Sequence, residues 1–313
     1  MVKIESFVAL LCIICLASCK EKRSDKAGER MQQFVIDISN YSRQQDSDFI
    51  IIPQNGVELA FSYLDPADGL KASYMSAIDG FGIEELFYDE LANADQERLS
   101  MCRTVQPLKP VLVADYVLDD TNIATSIQKN SDEGFLSFPR AHDNHDYILI
   151  PNFITNENTG DITSLTQAKN YLYLISTDNY SSKEEMIVAL EATNYDVVLI
   201  DLFFEDDAFT ADEIARLKVK SNGGKRLAIS YINVGAAENY RYYWKGSWKL
   251  HRPNWLKKRY DGYDNEIWVK FWDDEWKGII YGNDNSYIKR IIDAGFDGAY
   301  LDNVEVYYFL YFN

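Results

Sequence analysis

The chain has 313 residues, and its 31 basic and 49 acidic side chains give a formal net charge of −18. This charge argues against a nucleic-acid-binding protein, because such proteins bind phosphates mainly through lysine and arginine. Hydrophobic residues make up 47% and charged residues 26% of the chain, a composition that excludes wholesale disorder. The length fits one large α/β domain or two small ones.

The first residues have the pattern of a bacterial lipoprotein signal. Lys3 precedes an apolar run, residues 7–17, which ends just before Cys19. This run is too short to span a bilayer, which needs about 20 residues. We therefore predict that residues 1–18 are a cleaved signal peptide and that the thiol of Cys19 is acylated. The chain would be extracytoplasmic, on the periplasmic face of a bacterial membrane or on the cell surface. A plain signal peptide is the alternative.

The residues after Cys19 divide into a tether and one domain. Residues 20–30 contain no large apolar side chain, so we predict that residues 19–30 form a solvated tether and that residues 31–313 form a single domain. Cys102 is the one cysteine after Cys19, which excludes an intrachain disulfide in the mature chain. We expect Cys102 to be buried on a helix.

The domain begins with a predicted helix and continues with short apolar runs. Phe34, Ile38 and Tyr41 recur at i, i+4 and i+7, which predicts a helix with one apolar face over residues 31–45. Eight runs of strand length follow, and most are apolar at successive positions, as in parallel strands buried on both faces. These runs are residues 49–52, 75–79, 111–117, 135–138, 171–175, 197–201, 227–234 and 299–302.

Helix signals separate most of these runs. Ser182 with Glu185, and Thr210 with Glu213, have the spacing of capping boxes, and Gly295 fits a C-terminal helix cap. Strands that alternate with helices in this number predict a (β/α)8 TIM barrel. A doubly wound open sheet is the second choice. No glycine-rich phosphate-binding turn follows a strand, and we predict no cofactor.

Carboxylates and amides follow most of the predicted strands. In a TIM barrel the carboxyl ends of the strands form the active-site mouth, so these side chains should converge there. They are Asn55, Asp79, Glu84, Asp115, Asp201, Glu238, Asp302 and Glu305, and the phenol of Tyr116 follows Asp115. A single aspartate at a strand end is more often a helix cap, but a convergent set of acids is typical of acid–base catalysis. Paired carboxylates are what glycoside hydrolysis requires.

The other chemistries have weaker signals. His142 and His145 are spaced more like an exposed turn than like a metal-binding loop, so we predict no metal. There is no G-x-S-x-G motif to provide a serine nucleophile, which disfavours a peptidase or an esterase.

All six tryptophans lie in a segment between the seventh and eighth runs, residues 244–276. This segment is too long for a simple loop, so we predict an aromatic-rich cap over the mouth. Most of its rings should form the core of the cap, with one or two, Trp244 and Trp272, lining a groove where an indole stacks on a sugar.

Several segments together resemble one family, the endo-α-1,4-polygalactosaminidase-like glycoside hydrolases of family 114, which are TIM barrels. The segments are FIIIPQNGVEL (49–59), AIDGFGIEELFY (77–88), VLVADYV (111–117), YDVVLIDL (195–202), AISYINVGAAENYRYYW (228–244), WVKFWDDEWKGII (268–280) and GFDGAYLDNVE (295–305). In the family the last four precede the first three. The reversed order here predicts a circular permutation, in which Met31 lies close to Asn313 and the strand at residue 171 neighbours the strand at residue 135. A dimer that exchanges halves is the alternative to the favoured monomer.

The resemblance implies a catalytic pair, Asp302 and Glu84, and leaves open which of them is the acid. It also implies a supporting ring of Asp201, Glu238, Asn55, Asp115 and Tyr116. The implied function is a lipid-anchored glycosidase that acts on an amino-sugar-containing polysaccharide or glycan. A glycan-binding lipoprotein without turnover is the alternative. The family pattern Gly-Glu-Ala-Glu is replaced here by GAAE (235–238), which removes one carboxylate.

Overall fold

The structure is a computed structural model that describes residues 2–312, with side chains from Lys20 onward. The predicted signal peptide, residues 1–18, and the predicted lipidation site Cys19 lie outside the described side chains. No helix among the described residues is long and apolar enough to cross a membrane. The strands are β1 Ile50–Pro53, β2 Phe81–Ala92, β3 Val111–Val117, β4 Leu136–Ser137, β5 Arg140–Ala141, β6 Leu172–Tyr173, β7 Val197–Asp201, β8 Phe203–Phe204, β9 Asp207–Ala208, β10 Leu227–Asn233, β11 Ala236–Glu238, β12 Leu256–Tyr260, β13 Tyr263–Val269 and β14 Gly298–Asp302. The helices are α1 Val2–Gln45, α2 Ala72–Ala77, α3 Gln96–Val105, α4 Ile123–Asp132, α5 Lys183–Glu191, α6 Ala211–Leu217, α7 Asp274–Ile280, α8 Tyr287–Asp293 and α9 Val306–Phe309.

Parallel strands form the centre of the fold in the order β4-β3-β2-β1-β14-β10-β7-β6. A parallel bridge between Gln54 and Gly82 joins the two sheets at β1 and β2. Within residues 2–312 no paired positions connect β4 with β6, so hydrogen bonding does not close the series into a complete barrel. The rings of Phe138 and Tyr171, beside these two strands, nevertheless lie 5.6 Å apart. The predicted parallel α/β class is confirmed, and the arrangement is consistent with a TIM-like fold.

The predicted helix signals are present in the structure. Thr210 and Glu213 form both hydrogen bonds of a capping box at the start of α6, and the Ser182 hydroxyl accepts from the Glu185 amide at the start of α5. Gly295 has φ +85° just after α8, in the left-handed region that favours glycine. These helices connect successive strands of the sheet and place the carboxyl ends of the strands on one side.

Helix α1 differs from the prediction. Residues 19–30 were expected to be a solvated tether, but they belong to α1, and Ser24 and Ala27 are buried. Gly28 also lies on this face, close to Tyr307 of α9. Small side chains three or four residues apart allow two helices to approach closely, which explains the packing of α1 against α9.

The second predicted strand is also different. Residues 75–79 were expected to be a strand, but residues up to Ala77 form α2, and β2 begins at Phe81. Gly82 on β2 faces the ring of Tyr300 on β14, and a Cβ at position 82 would overlap this ring. The interior of the fold is therefore closely packed at the point where the two sheets meet.

The polar segment that precedes β6 is attached to the sheet by a buried ion pair. Lys220 Nζ lies 2.6 Å from Asp196 Oδ1, and both side chains are fully buried. Asn158 donates to the same carboxylate, and Lys220 donates to the carbonyl of Gly160. Each charge is thus paired and hydrogen-bonded, as burial requires.

The predicted aromatic cap is a small antiparallel sheet in the order β11-β13-β12, inserted between β10 and β14. Trp255, Trp268 and Trp276 are buried in and under this cap. Cys102, on α3, is buried as expected, and burial raises the pKa of its thiol to about 12.

Candidate active site

A cavity of about 730 Å³ opens at the carboxyl ends of the parallel strands, with the cap hairpin β12-β13 as one wall. Its volume lies within the range of about 300–1,000 Å³ that is typical of ligand sites. The charged side chains that line it, among the residues described, are mostly acidic. They are Glu84, Glu85, Asp146, Asp201, Glu238, Asp264, Glu266, Asp302 and Glu305, with Arg140 and Arg241 as the basic ones.

Asp302 ends β14 and lies at the floor of this cavity. The Tyr231 hydroxyl donates to Asp302 Oδ2 over 2.6 Å, and the backbone amide of Asn303 donates to Oδ1 over 2.7 Å. Burial, followed by the charge of Glu84, raises the pKa of the Asp302 carboxyl from 3.8 to about 7. Asp302 is therefore held in one orientation and can carry a proton near neutral pH.

Glu84 lines the same cavity from β2, where the strand is irregular. Glu85 has φ +54°, and the register of β2 against β3 shifts after Glu84. Such a bulge allows two consecutive side chains, Glu84 and Glu85, to face one side of the strand. The Arg98 guanidinium donates to both of their carbonyls, over 2.9 and 2.8 Å. The Asn55 side chain accepts from the Glu84 amide, and the Tyr147 hydroxyl donates to the Glu84 carboxylate.

Arg241 joins two of the predicted acids. Its guanidinium donates to both oxygens of Asp201, over 2.9 and 2.6 Å, and to both oxygens of Glu238, over 2.8 and 3.1 Å. The Tyr240 hydroxyl also donates to Glu238 over 2.5 Å. Because two carboxylates share one buried cation, this group is a rigid part of the wall rather than a second acid–base pair.

Two further carboxyls in the cavity can hold protons near neutral pH. Burial, followed by the charge of Glu238, raises the pKa of Glu266 to about 8. Glu266 belongs to cap strand β13 and accepts from the side-chain amide of Asn233 over 2.9 Å. Burial, followed by the charge of Glu58, raises the pKa of Glu305 to about 8.

Five of the predicted site residues lie outside the cavity lining, and three of these are polar. Asp79 precedes β2 instead of ending a strand, so it lies at the opposite, amino end, where it accepts from Arg43 and from the amide of Ile51. Asp115 is fully buried and accepts from two backbone amides of β2 and from two side chains of α4, so its role is structural. Tyr116 is buried with its ring 4.7 Å from that of His145.

The predicted sugar-stacking tryptophans are also elsewhere. Trp244 packs edge to face on Trp248, with ring centroids 5.5 Å apart. Trp272 packs on Phe271, and the guanidinium of Arg30 in α1 lies over its ring. Neither side chain lines the cavity. Their apolar surface is used for packing within the fold, and tyrosines line the cavity in their place.

Sequence reasoning missed several residues that complete the site. Arg241 follows the predicted acid Glu238 by three residues. Tyr231 precedes Asn233 by two residues on β10, a spacing that places Tyr231 and Asn233 on the same face of this strand. Tyr147 and Glu266 lie on a loop and on the cap hairpin, and no local pattern identifies them. The described residues contain no group of three or more His, Cys, Asp or Glu side chains that could hold a metal ion.

Part of the chain matches a known family and three known proteins. Residues 180–310 match the model of glycoside-hydrolase family GH114. An uncharacterized protein of Thermotoga maritima is 33% identical over 120 residues, which are 38% of this chain and 35% of the relative. An uncharacterized protein of Methanocaldococcus jannaschii is 32% identical over 151 residues, which are 47% of this chain and 41% of the relative. A third, from Deinococcus radiodurans, is 33% identical over 119 residues, 38% and 36% of the two chains. The chain thus covers less than half the length of these relatives.

Proposed function

We propose that this protein is a glycosidase of the endo-α-1,4-polygalactosaminidase type, which cleaves an amino-sugar-containing polysaccharide or glycan with Asp302 and Glu84. One observation carries the proposal. The carboxyls of Asp302 on β14 and Glu84 on β2 line the same cavity, at the carboxyl ends of the strands. The family match to residues 180–310, which include Asp302, supports it.

In the proposed mechanism, Asp302 is the general acid. Its raised pKa allows it to hold a proton near neutral pH and to transfer it to the glycosidic oxygen as the carbon–oxygen bond breaks. Glu84, as the carboxylate, either takes a proton from the water that attacks the sugar carbon, or attacks this carbon itself to form a glycosyl–enzyme ester that water then hydrolyses. The hydroxyls of Tyr231 and Tyr147 keep the two carboxyls oriented.

The charge of the cavity supports an amino sugar as the substrate. Nine carboxyls and two guanidinium groups line it among the described residues, so its potential is negative unless most of the acids are protonated. A protonated amino group is attracted into such a cavity, whereas a uronic acid is repelled. This favours a partly deacetylated, cationic glycan.

The anchor and the permutation are parts of the same proposal. We infer that Cys19 carries a lipid, which anchors the enzyme to a bacterial membrane, on its periplasmic face or on the cell surface. Metabolic labelling with a fatty acid should label the wild type and not Cys19→Ser, and equal labelling of both would reject the anchor. The packing of α1 on α9, and of Phe138 against Tyr171, supports a permuted barrel. Exchanging the halves would join the chain at the first contact and open it at the second, and neither change needs a strand to move.

The test of the proposal is the release of reducing ends from a panel of neutral, acidic and amino-sugar glycans. We expect product from an amino-sugar glycan with the wild type and with Asp207→Asn, an exposed control outside the cavity. Asp302→Asn and Glu84→Gln should be folded and inactive. Binding of a glycan without product in the wild type would instead favour the glycan-binding lipoprotein.

A further inference from the structure

Four aromatic rings form a continuous row from the C-terminal helix to the mouth of the cavity. The ring of Phe309 in α9 stacks on Trp268 with centroids 5.2 Å apart, and Trp268 stacks on Tyr260 at 3.8 Å. Tyr260 in turn contacts Tyr263 at 4.7 Å. Tyr260 ends β12 and Tyr263 begins β13, so the last two rings stand at the tip of the cap hairpin.

The burial of these rings changes along the row. Trp268 is 3% exposed, Tyr260 is partly buried, and Tyr263 is 54% exposed. The inner rings therefore fix the position of the outermost ring, while one surface of Tyr263 is left to solvent. An aromatic ring that is held in place loses little conformational entropy when a ligand packs on it.

The exposed ring is close to the proposed catalytic pair. Tyr260 and Tyr263 both line the cavity, and the Tyr260 hydroxyl donates to the side chain of Asn303, next to Asp302. Burial, followed by the charge of Glu84, raises the pKa of the Tyr263 phenol, which agrees with its position on the same cavity.

We propose that Tyr263, supported by Tyr260, is the platform on which a sugar ring of the substrate stacks, beyond the unit that is cleaved. This inference rests on the proposed function and adds a requirement for chain length. The C–H face of a pyranose is apolar and packs on an aromatic ring, while its hydroxyl or amino groups can interact with the nearby carboxyls. A chain that occupies both the catalytic carboxyls and the platform should be preferred to a shorter one.

The test compares Tyr263→Ala, Tyr263→Phe and Tyr263→Trp with the wild type on galactosamine oligomers from the dimer to the octamer. Tyr63→Ala is the matched control, because Tyr63 is 72% exposed and does not line the cavity. For the longest oligomers we expect Tyr263→Ala to raise KM about tenfold with kcat unchanged, since the platform does not touch the reacting atoms. The Phe and Trp variants retain a ring and should keep KM within about twofold. The shortest cleaved oligomer should show no difference.

Two results would overturn the platform. One is an unchanged KM of Tyr263→Ala on long oligomers, and the other is an equal loss on oligomers of every length. If the wild type hydrolyses no oligomer, the proposed function fails, and the platform is tested by calorimetric titration of the same series. Weaker binding of the octamer by Tyr263→Ala than by Tyr63→Ala then supports it, and equal or absent binding rejects it.

Discussion

Replacing the proposed acid should stabilise the fold while it abolishes activity. Asp302 carries a pKa raised from 3.8 to about 7, first by burial and then by the charge of Glu84. The folded state therefore binds this proton more tightly than the unfolded state. Below about pH 4 the group imposes no penalty on folding. The penalty grows as the pH rises from about 4 to about 7, and it is complete above that.

The size of the effect follows from the shift. A rise of about three pKa units, at 1.36 kcal/mol each, corresponds to about 4 kcal/mol. This is the upper limit by which the ionised Asp302 carboxyl lowers the free energy of unfolding at about pH 8. Asparagine has nearly the same shape and no charge, so Asp302→Asn removes the penalty. It retains an oxygen that can accept from the Asn303 amide. We expect a gain of at least about 1 kcal/mol at about pH 8, and a smaller gain at about pH 5.

Urea unfolding measures this gain, as the shift of the midpoint at a common slope. The titrations compare the wild type, Asp302→Asn and Asp206→Asn, an exposed control outside the cavity, at about pH 5 and about pH 8. The control should match the wild type at both pH values. If Asp302→Asn is no more stable than the wild type at about pH 8, or if it gains the same stability at both pH values, the Asp302 carboxyl does not destabilise the fold in this way.

Two further predictions concern the fold that holds the site. Gly82→Ala should lower the free energy of unfolding by about 1–3 kcal/mol in urea titrations, because its Cβ would overlap the ring of Tyr300. Lys220→Met should lower the free energy of unfolding by about 3–5 kcal/mol by the same measurement, because it leaves the fully buried carboxylate of Asp196 without a cation.

Each of these variants has a matched control. A Cβ at Gly246 meets no atom within 4 Å, so Gly246→Ala should be nearly neutral. Lys225 is exposed, so Lys225→Met should change stability by less than about 0.5 kcal/mol. A Gly82→Ala variant as stable as Gly246→Ala would contradict the packing of β2 on β14. A Lys220→Met variant as stable as Lys225→Met would contradict the buried ion pair.

Local signals in the sequence predicted the elements well. The strands over residues 111–117 and 197–201 have the predicted bounds, since each run contains three β-branched residues, which favour a strand. The capping box of Thr210 and Glu213 and the glycine cap at Gly295 also depend only on neighbouring residues. Residues 75–79 contain one β-branched residue, so this run does not distinguish a helix from a strand, and the wrong choice placed Asp79 at the wrong end of the sheet.

The non-local part of the site was harder to predict. Arg241 pairs with Asp201, 40 residues away in the sequence, and no local pattern reveals that partner. Trp244 and Trp272 are predicted to bind the substrate because tryptophans stack on sugars. In the structure both side chains instead pack against the hydrophobic core. The tyrosines at the tip of the hairpin line the cavity, because the phenol hydroxyl can hydrogen-bond to water while the ring provides an apolar surface.

In the proposed mechanism, Asp302 and Glu84 act as one unit on a glycosidic bond. The most direct test is the initial rate of hydrolysis of the best glycan by Asp302→Asn, by Glu84→Gln and by the double variant. We expect each single variant to lose about 10²–10⁴-fold in kcat, and the double variant to be little worse than the poorer single one. A single variant with the wild-type rate, or losses that multiply in the double variant, would contradict the claim.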